Sequence, residues 1–243
     1  MVGTNYFLRV LIIYLIVYIG KDTKSDETRL IVYGVFVVQF FNTALLLLLV
    51  NANLAEQFTF LGKIFEGKLA DFDSYWFGDL GKNLVMAMAY NTVFPMIEAG
   101  GFWGMRFGFR LLDRRFKTCN DNYTNKTTIS QYVDLYSGPV FFIHYKYGTM
   151  LNVVYVTMMY GLGMPVLFPV AVVTLLIIYC TEKAMVYYSC RLPPMYDEKL
   201  NNTVLALMTY APLLLLSFGY WMFSNHQLLT NEVYFKSVEN SLP

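Results

Sequence analysis

The sequence predicts an all-α, polytopic transmembrane helical bundle of about six spans. The first observation is composition: 56% of the 243 residues are hydrophobic and only 14% are charged, whereas soluble domains carry about 25% charged residues. The second is a mean hydropathy of +0.43, and the third is the alternation of long apolar stretches with charged loops. The formal net charge of +1 gives no basic footprint for nucleic acid. We therefore expect a multi-pass integral membrane protein without a nucleic-acid partner.

The apolar stretches place all the spans in one domain, residues 1–223, which is followed by a polar tail at 224–243. About 20 apolar residues are needed to cross about 30 Å of hydrocarbon. The predicted spans are approximately 5–20, 30–50, 78–101, 145–161, 164–180 and 203–223.

The first stretch is short for a span, and a signal peptide is the competing interpretation. The charged segment KDTKSDETR follows it where a small-residue cleavage site would be expected. Tyr14 and Tyr18 are also bulky for a signal core. We interpret the stretch as a transmembrane helix whose Arg9 extends toward the interface.

A tight hairpin is predicted at Gly161–Pro165. The apolar stretch 137–179 has 43 residues, which as one helix would measure about 64 Å, twice the bilayer core. Glycine and proline are the usual breakers of such a stretch. The sequence therefore predicts two helices here.

Orientation follows from the Lys and Arg residues of the loops. Loops 21–29, 106–131 and 182–199 carry twelve of them, whereas loop 51–74 and the tail carry three. Because basic loops favour the cytoplasm, we assign the first three loops to that side. The glycosylation sequons at Asn122, Asn125 and Asn201 are then expected to remain unused.

No catalytic or metal-binding pattern is present in the sequence. His144 and His226 are far apart, and the cysteines at 119, 180 and 190 lack CxxC spacing. Nucleophile-elbow, P-loop and dinucleotide-binding motifs are absent. We expect neither an enzyme nor a cofactor or metal site.

Polar side chains inside the predicted spans are the candidate functional residues. The pore-lining candidates are Asn42, Thr43, Asn91 and Glu98. Such residues usually face a bundle interior or a water path. The alternative is ordinary hydrogen bonding between helices, or, for Glu98, an ion pair with Arg106 at the interface. We expect Asn42, Asn91 and Glu98 to approach one polar cleft.

Two further motifs have competing interpretations. Pro95, Gly100 and Gly101 surround Glu98 and are predicted to interrupt the third span as a hinge, although Pro and Gly are common in transmembrane helices. The segment PPMY, with Pro193, Pro194 and Tyr196, matches a ligand pattern of WW domains. Its alternative is a proline-stiffened turn.

The order of these segments resembles a known channel family. The segments that carry the resemblance are QFFNTALLLLLVNANL, the basic RLLDRRF, and the pattern of Tyr160, Pro165, Leu167, Pro169 and Tyr179 within Met159–Tyr179. Over about 5–223 the chain resembles the osmosensitive calcium-permeable channels (OSCA/CSC type), which are related to the anoctamins and transmembrane channel-like proteins, in a divergent, protist-like version. It lacks the family's first helices and large cytoplasmic domain, and we interpret it as an internal piece of a longer protein.

The resemblance implies the pore region of a calcium-permeable cation channel that responds to membrane tension or osmotic stress. Asn42 and Asn91 would line its groove, and Glu98 would attract cations. The alternatives are a lipid scramblase built on the same groove and a non-conducting scaffold that docks a partner through PPMY. The expected partners are the lipid bilayer, a second copy in a homodimer, and a WW-domain protein.

Overall fold

The computed structural model describes residues 2–51, 74–114, 124–138, 141, 143–191 and 198–224. These residues are almost entirely helical, as the sequence predicts. The helices are α1 Val2–Ile19, α2 Lys24–Phe40, α3 Leu46–Asn51, α4 Ser74–Trp76, α5 Lys82–Asp113, α6 Ile129–Ser137, α7 His144–Tyr160, α8 Leu167–Tyr188, α9 Glu198–Met208 and α10 Ala211–Ser224. Two π-helical turns, Phe41–Leu45 and Phe77–Gly81, join α2 to α3 and α4 to α5. The PPMY segment and the tail beyond residue 224 lie outside the described residues.

Within the described part of the chain, three helical segments are long and apolar enough to cross a membrane: Lys24–Leu49, Leu167–Tyr188 and Glu198–Phe223. The predicted number of about six spans is not confirmed. The apolar segment of α1, Gly3–Ile19, is shorter than those three, and α7 has only 17 residues. Helix α5 has 32 residues, but Lys82, Glu98 and several glycines dilute its apolar character.

The N-terminus of α2 is stabilised by a side-chain cap and by carboxylates in its first turn. The Thr23 hydroxyl accepts a hydrogen bond from the Asp26 backbone N–H at 3.2 Å. Asp26 and Glu27 occupy the first turn, where carboxylates interact favourably with the helix dipole. The charged loop before α2 is therefore a helix-start signal as well as a boundary between two apolar segments.

Helix α7 is the centre of the bundle. Leu151, Val153, Val156 and Tyr160 have almost no exposed surface. One apolar cluster joins the C-terminal half of α7 to α3, α5, α8 and α10, and a second joins its middle to α2 and α9. The backbones of α2 and α7 approach closely, because a Cβ atom on Gly148 would lie 2.9 Å from Val35 Cγ1.

The predicted hairpin at Gly161–Pro165 is confirmed. Helix α7 ends at Tyr160, turn residues follow, and α8 begins at Leu167. The Met164 N–H donates to the Tyr160 carbonyl at 2.9 Å, which closes the turn. A Cβ atom on Gly219 of α10 would overlap Leu162, so this turn packs directly on α10.

Helix α5 differs from its prediction. It runs without interruption from Lys82 to Asp113, through Pro95, Gly100 and Gly101. The sequence predicted an interruption and, from residue 106, a basic loop whose first half was a candidate interfacial helix. Pro95 is buried, and a buried proline is tolerated in a helix when neighbouring groups satisfy the freed backbone carbonyl. A hinge at these residues remains a prediction.

The last helical segment differs as well. The single helix predicted at 203–223 is divided into α9 and α10 at Thr209–Tyr210. Pro212 explains the break, since it has no N–H to donate to the preceding turn. The Tyr155 hydroxyl donates to the Leu207 carbonyl at 2.5 Å and so satisfies a carbonyl beside the break.

Candidate functional site

Four charged side chains from four helices meet inside the bundle. Arg9 of α1 donates from Nη2 to Glu98 Oε1 at 3.3 Å, and Lys146 of α7 donates from Nζ to Glu98 Oε2 at 3.0 Å. Lys146 also contacts Oε1 of Glu182 on α8 at 2.6 Å. We call these four residues the charge network. Glu98 is shared between two cations, and Lys146 between two carboxylates.

The charge network is enclosed and electrically balanced. The exposed fractions of its side chains lie between 8% and 15%. Two positive and two negative charges sum to zero, which is the condition for holding ions at low dielectric. Removing one member leaves a buried charge without compensation. The network therefore fixes the relative positions of α1, α5, α7 and α8.

Aromatic rings complete the surroundings of Arg9. Its guanidinium carbon lies 4.8 Å from the ring centroid of Tyr6 and 4.9 Å from that of Tyr145. The Lys146 ammonium lies 5.0 Å from the Tyr145 ring. These contacts stabilise cations without adding negative charge. Tyr145 thus contacts both positive members of the charge network.

An amide network continues the polar interior along α1. Asn42 Nδ2 donates to Asn5 Oδ1 at 2.7 Å, and Asn5 Nδ2 donates to Thr43 Oγ1 at 2.9 Å. Asn5 lies four residues before Arg9, so both side chains occupy one face of α1. A continuous series of polar groups therefore leads from Thr43 through Asn5 to Arg9 of the charge network.

The first π-helical turn places these amide partners. It contains Asn42 and the fully buried Thr43. The Tyr160 hydroxyl donates to the Ala44 carbonyl at 3.0 Å, which satisfies a backbone group of the turn. Single π-helical turns are frequent at functional sites because they rotate side chains out of α-helical register.

The predicted pore-lining residues are only partly brought together. Asn42 and Thr43 lie in the amide network and Glu98 in the charge network, and α1 links the two. Asn91 is half-buried, and no hydrogen bond joins it to either network among the described residues. Its neighbour Thr92 is buried and lies 2.6 Å, hydroxyl to hydroxyl, from Thr174 of α8.

The structure corrects one sequence expectation about charged residues and excludes one alternative. Arg9 does not extend toward the interface but points into the bundle. Glu98 pairs with Arg9 and Lys146, and not with Arg106, whose guanidinium instead donates to the Ser189 carbonyl.

Sequence reasoning missed Asn5, Lys146 and Glu182. Glu182 was assigned to a polar connection, yet α8 extends to Tyr188 and carries it inside the helix. The available signal was that Arg9, Glu98 and Lys146 each interrupt an apolar stretch, although nothing along the chain indicates which charges meet.

A cavity of about 390 Å³ lies beside the charge network, between α7 and α8. Lys146 and Glu182 form part of a wall that is otherwise mainly apolar and aromatic. The second carboxylate oxygen of Glu182, Oε2, accepts no hydrogen bond from any described residue. The cavity therefore lies directly beside the Lys146–Glu182 ion pair.

No protein-family model matches this chain, and neither does any curated protein or any solved structure.

Proposed function

We propose that this chain is the conducting region of a cation channel in a membrane, and that Glu98 is its cation-attracting residue. The observation that carries the proposal is the charge network. Ionisable residues enclosed among membrane helices are rare and costly, and they are hallmarks of ion pathways. The resemblance to tension-sensitive channels supports the same assignment.

Glu98 in this arrangement is occupied by cations of the protein itself. Arg9 and Lys146 hold both of its oxygens. A permeating cation would compete for Glu98 only after one of these two side chains moves away. The arrangement therefore corresponds to a closed path in which two tethered cations stand where a mobile cation would bind.

Helix α1 is the element suited to open this path. Its outer face is exposed, with Tyr14 and Tyr18 at 70% and 80%, so lipid would cover it. Tension that widens the membrane would draw α1 outward, separate Arg9 from Glu98 and free one carboxylate oxygen. Asn42 and Thr43, released from Asn5, would then line the path beside Glu98.

The second candidate function is a non-conducting scaffold. The balance of the four charges favours it, because each is compensated within the described helices. In that case the charge network fixes helix positions and conducts nothing. A lipid scramblase is the third class, and one assay system distinguishes all three.

The test is ion flux in proteoliposomes that contain the full chain, measured before and after an osmotic downshift. Wild-type protein is expected to pass cations, and Arg9→Gln is expected to increase the resting flux because Glu98 loses one partner. Glu98→Gln is expected to reverse the preference toward anions, since two buried cations then outnumber Glu182. Transfer of fluorescent lipid between leaflets is recorded in the same vesicles.

Glu27→Gln is the matched control, because Glu27 pairs with the exposed Lys24 at the start of α2 and lies outside the charge network. Its flux should equal that of wild type. Absence of flux in every variant would reject the channel in favour of the scaffold. Lipid transfer that depends on Glu98 in the absence of ion flux would favour the scramblase.

A further inference from the structure

We propose that the end of α5 forms a binding site for the phosphate of an anionic membrane lipid. The site centres on three arginines, Arg106 and Arg110 of α5 and Arg191 after α8, which we call the arginine cluster. This assignment is independent of ion conduction, because none of the three arginines belongs to the charge network.

The arginine cluster carries more positive than negative charge. Arg191 pairs with Asp134 of α6, with Nη2 2.5 Å from Oδ1. Arg106 and Arg110 donate to the backbone carbonyls of Ser189 and Tyr136, and neither forms an ion pair with a described carboxylate. Neutral carbonyls satisfy hydrogen bonds but do not cancel charge, so the cluster retains an affinity for an anion.

Each guanidinium group of the arginine cluster has one nitrogen without a hydrogen-bond acceptor among the described residues. Arg106 Nη2, Arg110 Nε and Arg191 Nε are enclosed, yet they donate no hydrogen bond to any described residue. Arginine presents its donors in a planar fork that matches two oxygens of a phosphate. An arriving phosphate would therefore satisfy groups that the protein leaves without partners.

A pocket of about 420 Å³ exists at this position. Arg106 and Arg191 line it together with Asp134 and Gly138, and its remaining walls are apolar: Phe102, Met105, Phe109 and Leu135. An apolar wall beside paired arginines suits a ligand that carries both acyl carbon and phosphate. A free inorganic anion would use only half of such a pocket.

Gly138 makes room for the Arg106 guanidinium. Its φ of 99° lies in the left-handed region that favours glycine. A Cβ atom at this position would lie 2.9 Å from Arg106 Nη1. The chain therefore turns at Gly138 in a way that keeps the guanidinium at the pocket.

The position of the pocket along the bundle matches the lipid headgroup layer. Helix α8, which is long and apolar enough to span a membrane, ends at Tyr188, one residue before the Ser189 carbonyl that Arg106 contacts. Tyr187, Tyr188 and Trp103 are 73%, 86% and 64% exposed. Exposed Tyr and Trp side chains are typical of the membrane interface. Basic pockets on the cytoplasmic side, to which the basic loops are assigned, bind anionic headgroups.

The experiment uses the full chain purified in nonionic detergent and measures its affinity for dioctanoyl phosphatidylinositol bisphosphate. Dioctanoyl phosphatidylcholine and the water-soluble inositol trisphosphate serve as comparison ligands. We expect the anionic lipid to bind tightest, and Arg106→Gln/Arg191→Gln to weaken it at least about tenfold, as lost hydrogen bonds between charged groups require.

Lys21→Gln/Lys24→Gln is the matched control. It removes the same charge from the exposed start of α2, a loop assigned to the same membrane side, and should leave the affinity unchanged. The variant Arg106→Lys/Arg191→Lys keeps the charge but loses the fork, and is expected to bind with intermediate affinity.

Three results would overturn the proposal. The first is equal binding of phosphatidylcholine, and the second is an equal loss of affinity in the lysine control, which would indicate bulk charge. The third is inositol trisphosphate binding as tightly as the lipid, because the apolar wall would then contribute nothing. Each variant is accepted only if its helical circular dichroism and elution volume match wild type.

Discussion

The charge network and the arginine cluster use the same kinds of side chain in opposite ways. In the charge network every cation faces a carboxylate, and four helices enclose the group. In the arginine cluster, Arg106 and Arg110 face backbone carbonyls at the end of a long helix. The degree of burial explains this difference between the two groups. A buried group must be neutral as a whole, whereas the half-buried arginines of the cluster keep an excess of positive charge.

Packing follows the same division. Around the charge network, Gly34 and Gly148 allow close helix approach, since a Cβ atom on either would lie within 3 Å of a neighbouring side chain. On the half of α5 that leads to the arginine cluster, a Cβ atom on Gly100, Gly101, Gly104 or Gly108 would meet no atom within 4 Å. The first region is a packed core, and the second leaves its helix face open.

The largest effect is expected from removing one charge of the charge network. Glu98→Leu should destabilise the protein by about 3–5 kcal/mol, because it leaves Arg9 without its ion-pair partner and Lys146 with one carboxylate fewer. Thermal unfolding in detergent measures the loss. Arg9→Met/Glu98→Leu should recover most of the stability, since the remaining Lys146–Glu182 pair is neutral. A double variant as unstable as the single one would contradict the importance of charge balance.

A smaller effect is expected from testing the packing difference. Gly148→Ala should cost about 1–3 kcal/mol, because the added methyl group meets Val35 and the backbone of Phe36. Gly104→Ala, on the open half of α5, should be neutral or should stabilise by about 0.5–1 kcal/mol through helix propensity. Denaturation midpoints of the two variants compare the regions directly. Equal destabilisation by both would mean that the open half of α5 is packed.

Acidification is expected to weaken the contacts of Asp113, the last residue of α5. Burial opposes ionisation of Asp113, but hydrogen bonds from the Thr124 hydroxyl, the Asn125 N–H and the Tyr136 hydroxyl outweigh it and lower its pKa. A lowered pKa in the folded state means that the stabilisation is complete above the ordinary pKa of Asp. It is lost as the pH falls through the lowered value.

Hydrogen exchange of the segment 124–137 measures this effect. We expect exchange to increase by up to about sevenfold between pH 6 and pH 3, after correction for the intrinsic rate, which is the largest linkage effect that one Asp with an ordinary pKa of 3.8 can have at pH 3. Asp113→Asn should show the faster exchange at both pH values. A pH dependence that persists in this variant would assign the effect to another group.

The smallest effect is expected at the exposed start of α2. Lys24 is 91% exposed and pairs with Glu27 at 3.0 Å. Lys24→Gln should change the unfolding free energy by less than about 0.5 kcal/mol, because solvent screens such a pair. Thermal unfolding of Lys24→Gln and Glu98→Leu, measured under the same conditions, compares the two losses of stability. A loss above about 2 kcal/mol would show that this end of the bundle also depends on ion pairing.

The sequence supported the all-helical class and the hairpin because both follow from local patterns. Apolar length and the breakers Gly161–Pro165 are read along the chain, and the turn lies where they place it. The continuity of α5 through Pro95 was not accessible in the same way. A proline is a local signal for a break, and whether neighbours compensate for the freed carbonyl depends on packing that no single segment contains.

The helical class, the strong apolar character, the high aromatic content and the charges within apolar stretches all follow from local sequence patterns. Which of those charges meet depends on how the helices pack in three dimensions. Arg9 and Glu98 are separated by 89 positions along the chain, and no local pattern indicates that they lie close together. Burial makes an unpaired charge costly, so the bundle that forms is one in which α1, α5, α7 and α8 bring opposite charges together.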